Sequence, residues 1–173
     1  MHGERQLYES EWLALVLTDV EIPAGPRFEH HVVRVPTPAV GTIVAVDGRV
    51  LLLWRHRFIT DTWGWEIPAG RVEPDEPLED AARRECTEET GWRPGGLEPI
   101  AAFHPSNGLS AQTFHVFIGR DAEHVGAPVH PEESERIAWL PVADVRRRLR
   151  AGEVADGLSF SGLASPSRST CSS

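Results

Sequence analysis

At 173 residues the chain is long enough for one domain with a proper core, and its 40% hydrophobic and 25% charged residues are ordinary for a soluble globular protein. A net charge of −9 argues against non-specific attraction to nucleic acid or to an anionic membrane surface, and an anionic ligand would need local cations or a metal. The longest apolar runs, "LALVL" and "VLLLW", are far too short to span a membrane, and no signal-peptide core is present. Cys86 and Cys171 outline neither a disulfide framework nor a zinc site, so a cytoplasmic protein without membrane or nucleic-acid partners is expected.

Over residues 1–38, short apolar runs interrupted by "EIPAGPRFEHH" and the alternation in "EHHVVRV" predict antiparallel strands. "AVGTIVAVDGRVLLLWRH" reads as two β-branched runs joined at Asp47-Gly48, a dipeptide that tolerates positive φ and so marks a hairpin. "WGWEIPAG" is a further short strand. A helix follows, with Pro77 suited to its first turn and Glu76, Glu79 and Asp80 near its positive dipole end. Leu78, Ala82 and Cys86 give it an apolar stripe, and Gly91 is a natural terminator. "GLEPIAAFHPS" and "AQTFHVFIGR" predict strands around the turn Ser106-Asn107-Gly108, and "ERIAWL" one more. "PVADVRRRLRAG" is a short amphipathic helix with Val142, Val145 and Leu149 inward and its arginines on a solvated face. The Ser-rich residues 164–173 read as a disordered tail. Strands with one central and one terminal helix make an α+β or α/β sandwich the default.

The central helix carries the chemistry. Glu85, Glu88 and Glu89 stand at i, i+3 and i+4, so their carboxylates share a face and repel unless something neutralises them. A hard divalent cation does this, since magnesium takes a few carboxylates, waters and substrate phosphates. Arg84 could tie down Glu88 four residues on, and the loop from Gly70 to Asp75 can bring backbone groups to the same ions. Metal, water and phosphate together point to hydrolysis of a phosphoanhydride. The competing reading is a charged solvent face ending at an ordinary glycine cap.

The full spacing decides between them. Gly70, Glu76, Arg84, Glu85, Glu88, Glu89 and Gly91, with Cys86 and Trp92 at the apolar places, match every fixed position of Gly-x5-Glu-x7-Arg-Glu-U-x-Glu-Glu-x-Gly-U, where U is apolar. At roughly 5–7% usage per residue, seven identities make chance less likely than about one in a million. The stretch resembles the Nudix box, and "VLLLWRHRFI…WEIPAGRVE" resembles the ADP-ribose pyrophosphatase branch of that family.

The resemblance implies an α/β/α sandwich with a mixed β-sheet, and an N-terminal antiparallel strand region, residues 1–38, that forms a homodimer. Residues 39–163 would be the hydrolase domain. It implies Glu85 and Glu89 as main ligands of Mg2+, with Mn2+ an alternative, Glu88 near them, and the carbonyl of Ala69 or Gly70 completing the shell. Arg84 would orient the helix. Arg57 would contact the diphosphate, while Arg55 stands where the branch often has glutamine, a substrate-side position whose role is open. "FHPSNGLS", with Pro105 and Gly108, resembles a substrate loop, although Gln112 replaces the branch's usual glutamate. In "HPEESERIAW", Glu133 is the candidate base and Glu135 an extra metal ligand, with Glu132 competing. Trp12, Phe28, Trp63 and Trp65 are candidates for stacking a base, though such residues are more often packing.

The expected reaction is hydrolysis of ADP-ribose, a small-molecule nucleotide, to AMP and ribose 5-phosphate. Other nucleotide sugars such as GDP-mannose, or a non-standard nucleoside triphosphate, are the alternatives within the class. A non-catalytic ADP-ribose-binding module is the alternative outside it, and the intact box argues against that.

Overall fold

A computed structural model describes residues 1–165 of the chain. The N-terminal strands β1 (Gly3–Glu9), β2 (Ala14–Glu21) and β3 (Arg27–Arg34) form an antiparallel sheet in that order. Val16, Leu17 and Thr18 of the middle strand are buried, whereas every residue of β1 is exposed. The sheet is tied to the rest through the β1–β2 turn, where Arg71 donates to the Trp12 carbonyl at 2.8 Å, and through β3. The Val33 N–H donates to the Leu109 carbonyl at 2.8 Å, and His30 Nε2 lies 2.9 Å from the Gly108 carbonyl.

β4 (Ala39–Val46) and β5 (Arg49–Arg57) meet at Asp47 (φ 47°) and Gly48 (φ 71°), the left-handed pair that a two-residue hairpin requires. β6 (Thr62–Glu66) folds back along the second half of β5, and β7 (Ala69–Arg71) then pairs with the start of β4. Helix α1 (Leu78–Thr90) leads through β8 (Trp92–Pro94) to β9 (Leu97–Phe103), β10 (Phe114–Gly119) and β11 (Ala122–His124). A single 3-10 turn at Pro131–Glu133 precedes β12 (Arg136–Pro141), α2 (Val142–Arg150) and α3 (Gly157–Ala164).

The main sheet runs β12-β5-β4-β10-β9. β4 and β10 are parallel and the other neighbours antiparallel, so the sheet is mixed. Its two faces follow from the period of two along each strand. Val40 and Val44 of β4, Leu51 of β5 and Phe117 of β10 face α1, where they meet Ala81, Ala82 and Cys86. Ile43, Leu52, Val116 and Ile118 face the other way, onto Val145 of α2 and Leu158 of α3. Helices therefore cover both faces, as the family resemblance implies. Among the described residues no helix is long and apolar enough to cross a membrane.

Two details depart from the sequence reading. The C-terminal region holds two helices where local patterning shows one. Half of α3 is Gly157, Ser159, Ser161 and Gly162, weak helix formers, and it is started by Asp156, whose side chain accepts from Ser159 N at 2.8 Å. In the expected tail, Ala164 instead closes α3 and Ser165 follows it; residues 166–173 lie outside the described residues.

Candidate active site

Helix α1 begins after Pro77, which is extended (ψ 140°) and occupies the cap, one place before the first helical turn expected of it. Glu79 and Asp80 lie near the positive dipole end. It ends at Gly91, whose φ of 73° and N–H bond to the Thr87 carbonyl (2.8 Å) make a left-handed cap. A side chain there would also meet the Gly126 carbonyl oxygen, 2.0 Å from a Cβ. Ala81, Glu85 and Glu89 repeat every four residues. The stripe that packs on the sheet in the first half of α1 therefore continues as carboxylates in the second. Glu88 is the outermost of the three glutamates.

The loop before α1 shapes the place where Glu85 lands. A Cβ on Gly70 would lie 2.1–2.3 Å from the Glu85 carboxyl atoms, so that carboxylate occupies the space a side chain would fill. Burial raises the Glu85 carboxyl above the ordinary range, and the hydrogen bond from Arg84 only partly opposes this. Arg84 is the hub of the face. Its Nε and Nη2 form a two-point pair with Glu76 (2.9 Å each), its Nη1 reaches Glu85 (2.9 Å) and Glu88 (3.2 Å), and Nη2 also donates to the Arg71 carbonyl (3.0 Å). The i, i+4 pairing with Glu88 exists, but the fork to Glu76 is the better bond, and it holds the Glu76 carboxyl below its usual range.

Glu89 is 7% exposed, and both its oxygens are engaged. Oε1 accepts from Arg55 Nη2 at 2.6 Å and Oε2 from the Ala69 N–H at 2.8 Å. Burial pushes its carboxyl up to about 7 despite both donors. Arg55 is thus behind Glu89, on the α1 side of β5, and does not line the neighbouring cavity.

That cavity, about 500 Å³, is lined by Arg57, Phe58, Thr62, Glu66, Asp156 and Gly157 among others. Arg57 is anchored by the buried Glu66, to which its Nε donates at 2.9 Å, while about half of its side chain stays exposed. Glu66 fixes this arginine from the other strand of the β5–β6 hairpin, four places beyond Thr62, the register partner of Arg57, so no local pattern signals it.

The remaining candidates are more dispersed. Glu132, Glu133 and Glu135 are exposed and make no hydrogen bond to the α1 glutamates. Their loop is nevertheless pinned at both ends beside them. The Val129 N–H donates to the Glu88 carbonyl (2.7 Å), and the Glu135 N–H to that of Trp54 (3.0 Å), one residue before Arg55. Gly108 is exposed and joined to β3 through His30. Trp65 is buried in the core, Trp63 stacks on Trp54 with their rings 18° apart, and Trp12 lies under the Arg71 guanidinium at 5.1 Å.

Among the described residues no three His, Cys, Asp or Glu side chains converge as a ready-made metal cage. The site offers two desolvated carboxylates, Glu85 and Glu89, beside the main chain of Ala69 and Gly70. An all-oxygen donor set of that size fits a hard divalent ion, which fills its remaining positions with water and substrate phosphate.

Residues 35–158 match the NUDIX domain. A CMP-5'-(N-acetyl-N-hydroxy-3-aminopropyl)phosphonate hydrolase of Streptomyces rubellomurinus is 35% identical over 161 residues, 93% of this chain and 78% of the relative. The ADP-ribose pyrophosphatase of Bacillus subtilis is 28% identical over 89% of this chain and 84% of its own length. That of Mycobacterium tuberculosis is 29% identical over 91% and 77%. In fold, the chain superimposes on the crystal structure of an ADP compounds hydrolase with a TM-score of 0.83 at 18% identity, covering 94% of this chain and 88% of the other. With a complete box folded onto one helix face and the domain match spanning most of the sequence, this chain belongs to the Nudix family of hydrolases.

Proposed function

We propose that the protein is an Mg2+-dependent hydrolase of the phosphoanhydride in nucleoside diphosphate sugars, cleaving ADP-ribose to AMP and ribose 5-phosphate. The observation that carries this reading is the pair of desolvated carboxylates, Glu85 and Glu89, packed against Ala69 and Gly70. Glu85, Glu89 and the carbonyl of Ala69 or Gly70 would hold the ion. When bound, it supplies Lewis acidity toward the phosphate oxygens and the attacking water.

The chain's own residues do the rest. Arg84 keeps Glu85 and Glu88 in place through bonds that also fix the loop before the helix. Arg57, clamped by Glu66 with about half of its side chain exposed, neutralises a diphosphate oxygen. Glu133 takes the proton of the water that attacks one phosphorus, with Glu132 and Glu135 beside it on the same loop. The P–O bond to the bridging oxygen breaks, and the second phosphate leaves with that oxygen. Gly70 and Gly108 present main chain toward the substrate. The exposed N-terminal sheet, with Leu7, Tyr8 and Phe28 uncovered, supports a homodimer.

A second reading keeps the bond and changes the partner. The relative that spans 93% of this chain at 35% identity is named for a CMP-phosphonate, so the anhydride of a nucleoside monophosphate with a phosphonate is the competing substrate. Measuring kcat/KM for ADP-ribose, a CMP-alkylphosphonate, GDP-mannose and a nucleoside triphosphate separates the two. ADP-ribose leading the panel supports the proposal; a CMP-phosphonate leading it by tenfold or more, on the order of one lost polar contact, replaces it.

A further inference from the structure

Arg55 is the charged residue of the site with no evident task in the reaction. It stands on β5 four places after Leu51, which packs on Cys86 of α1, and its side chain is only 6% exposed. Among the described residues its one hydrogen-bond partner is Glu89, through Nη2, and its buried Nε has none. A buried guanidinium with a single carboxylate partner is a poor way to fill a core position, because desolvating both charges offsets most of their attraction. An aliphatic residue of similar volume would pack there more cheaply. What the arginine provides, and an aliphatic residue would not, is a fixed positive charge on one oxygen of Glu89 while the Ala69 N–H holds the other.

We infer that Arg55 is a positioning residue that serves as the resident counter-cation of Glu89: it holds that carboxylate against Ala69 in the metal-free protein and competes with the divalent ion for its charge. This rests on the reading of Glu89 as a metal ligand. Two cations sharing one carboxylate repel each other at short range, so each weakens the other's hold, and linkage makes the effect reciprocal. The metal-free site is thereby kept folded and oriented, at the expense of metal affinity.

The test is Mg2+ binding without substrate, by calorimetry and by the metal-induced rise in Tm. Wild type is compared with Arg55→Gln, Arg55→Lys and Glu89→Gln. Removing the charge should tighten Mg2+ binding by about tenfold or more, within the usual range of coupling between sites, and should enlarge the Tm rise. Arg55→Lys should stay near wild type. Arg55→Gln with equal or weaker Mg2+ affinity would overturn the inference. If Arg55→Gln does not fold in EDTA, the inference requires that Mg2+ restore its folding; a variant that stays unfolded in both conditions marks a purely structural residue. Glu89→Gln binding Mg2+ as tightly as wild type would instead remove Glu89 from the ligand set, a separate failure of the underlying reading.

Discussion

Replacing Gly70 by alanine should disable the site while leaving the fold nearly untouched. Gly70 lies in β7, in a conformation open to any residue, so the backbone accepts the change. The added Cβ would meet Cδ, Oε2 and Oε1 of Glu85 at 2.1, 2.2 and 2.3 Å. Ordinary carbon contacts begin near 3.5 Å, so the carboxylate must retreat by roughly 1.2–1.4 Å. It can do so, being the end of a flexible side chain, but its 2.9 Å bond from Arg84 is then lost or re-aimed.

That bond is partly exposed and contributes about 1 kcal/mol at most after solvent screening. Alanine's smaller unfolded-state entropy returns about 0.4–1 kcal/mol. Tm should therefore move by no more than about 4 °C. A ligand displaced by about 1 Å, by contrast, costs on the order of 10²-fold in kcat/KM. Steady-state hydrolysis of ADP-ribose with Mg2+, alongside a thermal melt, reads both quantities. Wild-type kcat/KM in Gly70→Ala would refute the argument that Glu85 must sit in that cradle.

Glu89, raised to about 7 from 4.5, keeps a proton in the folded chain that an unfolded glutamate has released. The stability this gives is fully present below about 4.5 and is lost as pH rises through about 7. In EDTA, wild type should lose Tm relative to Glu89→Gln across that window, and parallel melting curves would contradict this. Mg2+ affinity should rise over the same range, because the ligand must be deprotonated. Glu133→Gln should lower kcat by about 10²–10⁴-fold with Mg2+ affinity unchanged, as expected for a lost general base; the same loss in Glu135→Gln or Glu132→Gln instead would reassign the role. Asp156→Ala removes the side-chain cap of α3 and should cost about 1–2 kcal/mol, or roughly 2–8 °C in Tm.

Much of the architecture is legible because it is local. Asp47-Gly48 dictates a hairpin by the only φ values that close it, and Gly91 ends α1 where no side chain fits. The alternation of Val40, Thr42 and Val44 against Ile43 divides the two layers of core. α3 is hidden because its glycines and serines carry no helical signal, and it forms once Asp156 caps it and Leu158 is buried. Asp156 ahead of Ser159 was the one local clue.

The site divides in the same way. The box spacing points to Glu85, Glu88, Glu89 and Arg84 because a helix turns positions into a face. Their partners are distant in sequence. Arg55 meets Glu89 across 34 positions, and Glu66 anchors Arg57 only after β5 and β6 pair. Even Glu76, a fixed position of the box, shows its use only when the loop folds and places it on Arg84. The charge repulsion expected of three glutamates is thus answered in part by two arginines, and the carboxylates left desolvated are the two proposed to take the metal.

The most direct test of that proposal is to incubate wild type and Glu85→Gln with ADP-ribose and Mg2+ and to identify the products by chromatography. The account predicts AMP and ribose 5-phosphate from wild type and a rate at least about 10²-fold lower from Glu85→Gln, which loses the charge on a ligand but keeps its shape. Equal rates from both proteins would contradict it, because the carboxylate cradled by Gly70 would then have no part in the chemistry.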